Sequence, residues 1–104
     1  MTLITACVIT IHMIRSFNCD KTEALSKGHS VKQFVNIARV ARRKLRQLEI
    51  ANRLDDLRVP PGNHLEALKG SRSGQHSIRI NDQWRLCFRW TDSGAEEIEI
   101  VDYH

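Results

Sequence analysis

The chain has no apolar run approaching the roughly 20 residues that a helix needs to cross a bilayer, and no proline-, glycine- or serine-rich or repetitive stretch that would leave it disordered. Its three cysteines, Cys7, Cys19 and Cys87, are odd in number and include no Cys-x-x-Cys pair. Neither a disulfide framework nor a zinc site is therefore encoded, and reduced thiols in a cytoplasmic protein are the simplest expectation. Also missing are a His-x-Glu…Cys-x-x-Cys deaminase signature, His-Glu-x-x-His, a phosphate-binding glycine loop and Gly-x-Ser-x-Gly. These absences remove the common metal, nucleotide and acyl-transfer chemistries, and no metal or cofactor is implied.

What remains is a chain of 104 residues, enough for one core and too short for two. With 41% hydrophobic and 27% charged residues it has an ordinary globular composition. The formal charge of +4 favours a polyanion, either nucleic acid or an acidic partner protein. Residues 1–12 are apolar and rich in strand formers, but they lack the basic start and small-residue cleavage site of a targeting signal. Met13 is a second possible start. Residues 1–12 are either an N-terminal extension to a single domain over 13–104 or a lengthening of its first strand.

Ile14 to Phe17 alternates and predicts a short edge strand. Asp20 offers an N-cap to a short helix through Glu23, Ala24 and Leu25, which Gly28 stops. Ser30 followed by Gln33 is a capping-box pattern. Behind it Phe34, Ile37, Ala41, Leu45 and Leu48 form one apolar stripe on a long helix. Its other face carries Lys32, Arg39, Arg42, Arg43, Lys44, Arg46 and Arg53, which either is simply solvated or meets phosphates or an acidic partner. Pro60, Pro61 and Gly62 forbid further helix, and a loop is expected to run to about Gly74.

From Gln75 onward the period becomes two, which predicts an antiparallel sheet. Ile78, Ile80, Trp84, Leu86, Phe88, Trp90, Ile98 and Ile100 share even parity, so placing them on one core face sets the register. With turns at 81–83 and 91–95, Ile80 faces Trp84, Arg79 faces Arg85, Phe88 faces Ile98 and Arg85 faces Val101. The opposite face then carries Ser77, Arg79, Arg85, Cys87, Arg89, Glu97, Glu99, Val101 and Tyr103. Like charges facing each other, as Arg79 and Arg85 do, destabilise a strand pair unless an anion lies with them. Arg89 near Glu97 is an ordinary cross-strand pair.

The chain ends Asp102-Tyr103-His104, either a frayed polar tail or three functional side chains beside the Arg79/Arg85 lane. Metal-free RNA cleavage needs a base for the 2′-hydroxyl, a cation over the phosphorane and an acid for the departing 5′-oxygen. Histidine, glutamate, tyrosine and arginine suffice for those tasks.

Met13-Ile14-Arg15-Ser16-Phe17, Leu65-Glu66-Ala67-Leu68-Lys69-Gly70, Trp84-Arg85-Leu86 and Asp102-Tyr103-His104 occur in this order and spacing, and on them the chain resembles a HigB-type toxin of the RelE superfamily from Met13 to His104. The resemblance implies an α+β, RelE-like fold in which two N-terminal helices pack on a small antiparallel or mixed sheet. It implies ribosome-dependent cleavage of translated mRNA in the A site. It also implies neutralisation by a HigA-type helix-turn-helix antitoxin, with the complex binding its operator DNA.

Carried over by motif, His104 matches the catalytic histidine, Tyr103 and Asp102 its catalytic or RNA-contacting neighbours, and Arg85 the arginine beside the tryptophan. Lys69 and Arg72 match RNA-binding positions, to which the lane adds Arg79. Glu66 stands where the family has a histidine. A glutamate can serve as a base if burial raises its pKa but cannot be a cation over the phosphate, so a weaker toxin is expected. Two further readings compete: a non-catalytic RNA-binding module or degenerate toxin that uses the basic helix, and a partner protein whose residues 1–12 add a strand to another sheet.

Overall fold

Seven regular elements follow one another in the computed structural model, which describes residues 13–14 and 16–102. They are β1 (Met13–Ile14), α1 (Asp20–Ser26), α2 (Ala38–Ile50), β2 (Glu66–Ala67), β3 (His76–Arg79), β4 (Trp84–Thr91) and β5 (Gly94–Asp102), with 3-10 turns at Lys32–Phe34, Leu54–Arg58, Pro61–Asn63 and Gly70–Arg72. The expectations for residues 1–12, Arg15, Tyr103 and His104 lie outside the described residues. The class is α+β. One mixed sheet has the order β1-β5-β4-β3-β2, with β1 parallel to β5 and the other neighbours antiparallel.

The even-parity register holds at the sheet's centre, where Ile78 faces Leu86 and Leu86 faces Ile100, while Arg79 faces Arg85 and Arg85 faces Val101. The Asn81 side chain closes the first turn by accepting from the backbone N–H groups of Gln83 and Trp84, each at 2.8 Å. The second turn is tighter than the expected 91–95. Thr91 already pairs with Gly94 and Trp90 with Ala95, leaving only Asp92 and Ser93 outside the ladder. The register shifts between Cys87 and Arg89, whose partners are Glu99 and Glu96, so β5 carries one extra residue. Glu97 takes a left-handed φ of 53° there, as a bulge requires. This slip lets Ala95 and Ile98, of opposite parity, both be fully buried.

The helices cover the even face. Leu25 of α1, then Phe34, Ile37, Ala41, Leu45 and Leu48, close over Ile78, Ile80, Leu86, Phe88, Ile98 and Ile100, and Phe34 meets Trp84 edge-on with ring centroids 5.5 Å apart. Thr22, fully buried on α1, accepts a 3.0 Å bond from the Ile100 N–H and docks that short helix on β5. Asp20 is within the first turn of α1 rather than capping it, since the N-cap is Cys19. An acidic group there still favours the helix dipole.

The long helix starts later than the capping-box pattern predicts. Val31 is extended, Lys32–Phe34 form a 3-10 turn and α2 begins at Ala38. The apolar stripe survives because steps of three also align side chains on one side of a 3-10 turn. The predicted basic face is divided as well. Arg39, Arg43 and Arg46 are exposed, Arg42 donates to the Leu25 and His29 carbonyls at the end of α1, Lys44 is only 6% exposed, and Arg53 lies beyond α2.

Candidate active site

On the odd face, β4 places Arg85 between Arg79 of β3 and Val101 of β5, and its side chain reaches along β3 to Ser77. Arg85 Nε donates to Ser77 Oγ at 2.8 Å and its Nη2 donates to the His64 carbonyl at 2.7 Å. The same Nη2 lies 3.7 Å from Glu66 Oε1. The guanidinium is thus aimed by one strand hydroxyl and one loop carbonyl, and its side chain is only 12% exposed against 54% for Glu66. His64 presents that carbonyl from a left-handed conformation, φ 46° and ψ 58°, directly after the Pro61–Asn63 turn. Glu66 arrives beside it because β2 pairs Glu66 with Ser77.

The expected loop to Gly74 is therefore partly sheet, and it folds back over the odd face. Arg72 in the Gly70–Arg72 turn reaches across to Glu99 of β5 at 3.1 Å and to Gln75 at 3.0 Å. Beneath this crossing, Ser77 and Cys87 are fully buried. Burial pushes the Cys87 thiol pKa up, Arg72 opposes this, Glu99 adds to it, Arg85 opposes it and Glu66 adds to it. A thiol held neutral in this way is a poor nucleophile. No group of three or more histidine, cysteine, aspartate or glutamate side chains spaced for a metal ion occurs among the described residues.

The like-charged pair Arg79 and Arg85 is accommodated by carboxylates of the chain itself. Arg79 pairs with Asp82 and Arg85 turns toward Glu66. Lys69 is exposed at the entrance to the Gly70–Arg72 turn. Asp102 sits opposite Trp84 at the end of β5, its carboxylate accepting from Gln83 Nε2 at 3.1 Å. Arg85 and Glu66 thus meet on the odd face, with Arg79 directly across from Arg85, while Asp102 lies at the same end of the β4–β5 ladder at an even-parity position opposite Trp84. Arg72 is turned toward Glu99, and Tyr103 and His104 are outside the described residues. Sequence reasoning missed that Ser77 and the His64 carbonyl hold Arg85. The parity of Ser77 was a usable signal for the first, whereas a backbone carbonyl leaves none.

A family model described as RelE-like toxin of type II toxin-antitoxin system HigB matches residues 13–104. Toxin HigB-1 of Vibrio cholerae serotype O1 is 51% identical over 53 residues, covering 51% of this chain and 56% of that protein. An uncharacterized protein of Haemophilus influenzae is 38% identical over 63 residues, covering 61% of this chain and 62% of its own length. The chain thus spans between half and two thirds of the curated relatives it matches. The family match begins at Met13 and includes every residue singled out above for catalysis or RNA binding.

Proposed function

Because the chain belongs to the RelE-like HigB toxins of type II toxin–antitoxin systems, we propose that it is a cytoplasmic endoribonuclease that cuts translated mRNA in the ribosomal A site by metal-free general acid–base chemistry. The observation that carries this reading is the Arg85 guanidinium, aimed by Ser77 and the His64 carbonyl and lying 3.7 Å from the Glu66 carboxylate. A cation oriented before substrate arrives costs no reorganisation when charge develops on a phosphorane. The Arg85–Glu66 contact is solvent-facing on the glutamate side, and such pairs are worth about 0–1 kcal/mol, so a phosphodiester can replace the carboxylate on Arg85.

In this reading Glu66 takes the proton of the 2′-hydroxyl and the 2′-oxygen attacks the adjacent phosphorus. Arg85 neutralises the charge that builds on the non-bridging oxygens. His104 protonates the 5′-oxygen as the P–O bond breaks, leaving a 2′,3′-cyclic phosphate and a 5′-hydroxyl end. Tyr103 and Asp102 orient the histidine and the scissile nucleotide, and Lys69, Arg72 and Arg79 contact flanking phosphates. A HigA-type helix-turn-helix antitoxin neutralises the toxin, and their complex binds operator DNA. The arrangement of helices on the sheet is the RelE-like one.

The test is to induce wild type and His104→Ala from a tight promoter and to map 5′ ends of a translated reporter mRNA by primer extension. Growth arrest with in-frame, translation-dependent cuts that vanish in the variant is the expected result. The exposed Arg39, Arg43 and Arg46 on the helix side of the sheet support a competing reading as a non-catalytic RNA-binding module. Salt-sensitive RNA binding by well-expressed wild type, with neither arrest nor cuts, would establish that reading instead.

A further inference from the structure

A buried polar cluster on the other side of Arg85's anchor has no role in the chemistry above. Asn63 is fully buried, an uncommon state for an asparagine. Its Nδ2 donates to the Leu57 carbonyl at 2.9 Å and to Gln47 Oε1 at 2.8 Å, with a longer contact to the Val59 carbonyl at 3.4 Å. Its Oδ1 accepts from Lys44 Nζ. Lys44 and Gln47 belong to α2, so the carboxamide ties the loop before β2 to the long helix. Burying a lysine ammonium is costly unless it is paired. The chain bears that cost on the helix where an apolar residue would pack more cheaply, and it aims the ammonium at a loop rather than at a carboxylate.

The next residue explains the expenditure. His64 follows Asn63 directly, adopts the left-handed backbone and offers its carbonyl to Arg85 Nη2 at 2.7 Å. Two residues further on, Glu66 places its carboxylate against the same nitrogen. The contacts therefore run without a gap from α2 through Lys44, Gln47 and Asn63 to the His64 carbonyl and the Arg85 guanidinium. We propose that Lys44 and Asn63 are positioning residues for the reaction: they fix the height of the His64 carbonyl and so the direction in which Arg85 points at the scissile phosphate. This rests on the reading of Arg85 as the phosphate-stabilising cation.

The consequence is a dependence of kcat on two residues that never touch RNA. Misplacing a reacting group by about 1 Å can cost about a hundredfold in rate, whereas RNA binding through Lys69 and the surface arginines is untouched. Lys44→Met keeps the aliphatic stem and all three donor contacts of Asn63 while freeing Oδ1. Asn63→Ala removes the whole tie.

The experiment measures multiple-turnover cleavage of programmed ribosome complexes by wild type, Lys44→Met, Asn63→Ala, Arg85→Ala and the two double variants with Arg85→Ala. Both single substitutions are expected to lower kcat by about tenfold to a hundredfold with KM unchanged, and to have no further effect once Arg85 is alanine. A rise in KM alone, or losses that multiply with that of Arg85→Ala, would overturn the proposal in favour of a general packing role. The Arg85 Nε–H resonance in a 15N spectrum supplies a second readout that needs no cleavage. It should be a single dispersed peak in wild type and move toward the free-guanidinium position in Lys44→Met. An unmoved peak sinks the positioning role. If wild type cuts nothing but the peak moves, the tie stands and the nuclease reading is what fails.

Discussion

The two faces of the sheet are built by alternate residues of the same strands, yet they differ in what holds them. On the even face Leu86, Phe88 and Ile98 are fully buried among side chains from both helices. On the odd face the same strands carry Arg85, Arg89, Glu97 and Glu99, cross-linked by ion pairs to one another and to the folded-back loop. Burying a large apolar side chain is worth about 1.5–3 kcal/mol, whereas a solvent-facing ion pair contributes about 0–1 kcal/mol. One face carries stability. The other is free to hold a charged site, because its contacts are weak enough for a ligand to exchange.

Substitutions that act on one face and spare the other sharpen this contrast. The largest effect is expected from Phe88→Ala, which removes a fully buried ring and should cost about 3–5 kcal/mol, measurable as a lower urea midpoint with activity lost in proportion to unfolding. Arg85→Lys should do the reverse. A lysine has no planar fork to engage Ser77 Oγ and the His64 carbonyl together, so cleavage should fall by about 10²–10³-fold while the urea midpoint shifts little. Equal losses of stability in these two variants would break the comparison.

A smaller effect, of opposite sign, is expected at the bulge. Glu97 holds φ 53° without being glycine, a conformation that costs an L-residue roughly 1–2 kcal/mol. Its 3.3 Å pair with Arg89 returns a few tenths of a kcal/mol by the usual order for exposed pairs. Glu97→Gly should therefore stabilise the chain by up to about 1 kcal/mol in urea unfolding. A destabilised variant would mean that the ion pair outweighs the backbone.

The smallest effect is a pH dependence under the even face. Burial first, then Arg43 and Arg79, lower the Lys44 pKa below the ordinary 10.5. The folded chain gives up this proton before the unfolded chain does, so between the lowered pKa and 10.5 the unfolded state binds more protons. Stability contributed by Lys44 therefore rises with pH across that window. Lys44→Met should flatten this rise on the alkaline limb of a stability–pH curve, and an unchanged limb would contradict the assignment.

Much of this comparison was legible in residue order alone. Even parity placed the core of β3, β4 and β5 and set Arg79 opposite Arg85, because a side-chain period of two leaves one register that buries every large apolar residue. Parity failed at residue 97, where the chain adds a residue and restarts the alternation, and nothing about a glutamate announces a left-handed backbone. The apolar stripe of α2 was legible although its start was not, since stripes report which side faces the core rather than which hydrogen bonds close. Among the basic residues of that helix the pattern could not separate Arg39, Arg43 and Arg46, which meet solvent, from Arg42 and Lys44, which tie down neighbouring segments.

For the candidate site the division is similar. Residue order alone determined the class of groups available: an arginine lane on one face, a glutamate in the loop and a polar C-terminal end. It also determined that the strands carrying Arg79, Arg85 and Val101 lie side by side, because local periodicity and hydrophobic burial dictate strand pairing. Tertiary structure alone decided that residues 64–72 fold back onto the sheet, that Ser77 and a backbone carbonyl aim Arg85, and that a buried lysine and asparagine anchor the loop from the far side. Those choices depend on contacts between residues distant in the chain and on main-chain groups that every residue possesses, and neither leaves a mark in residue order.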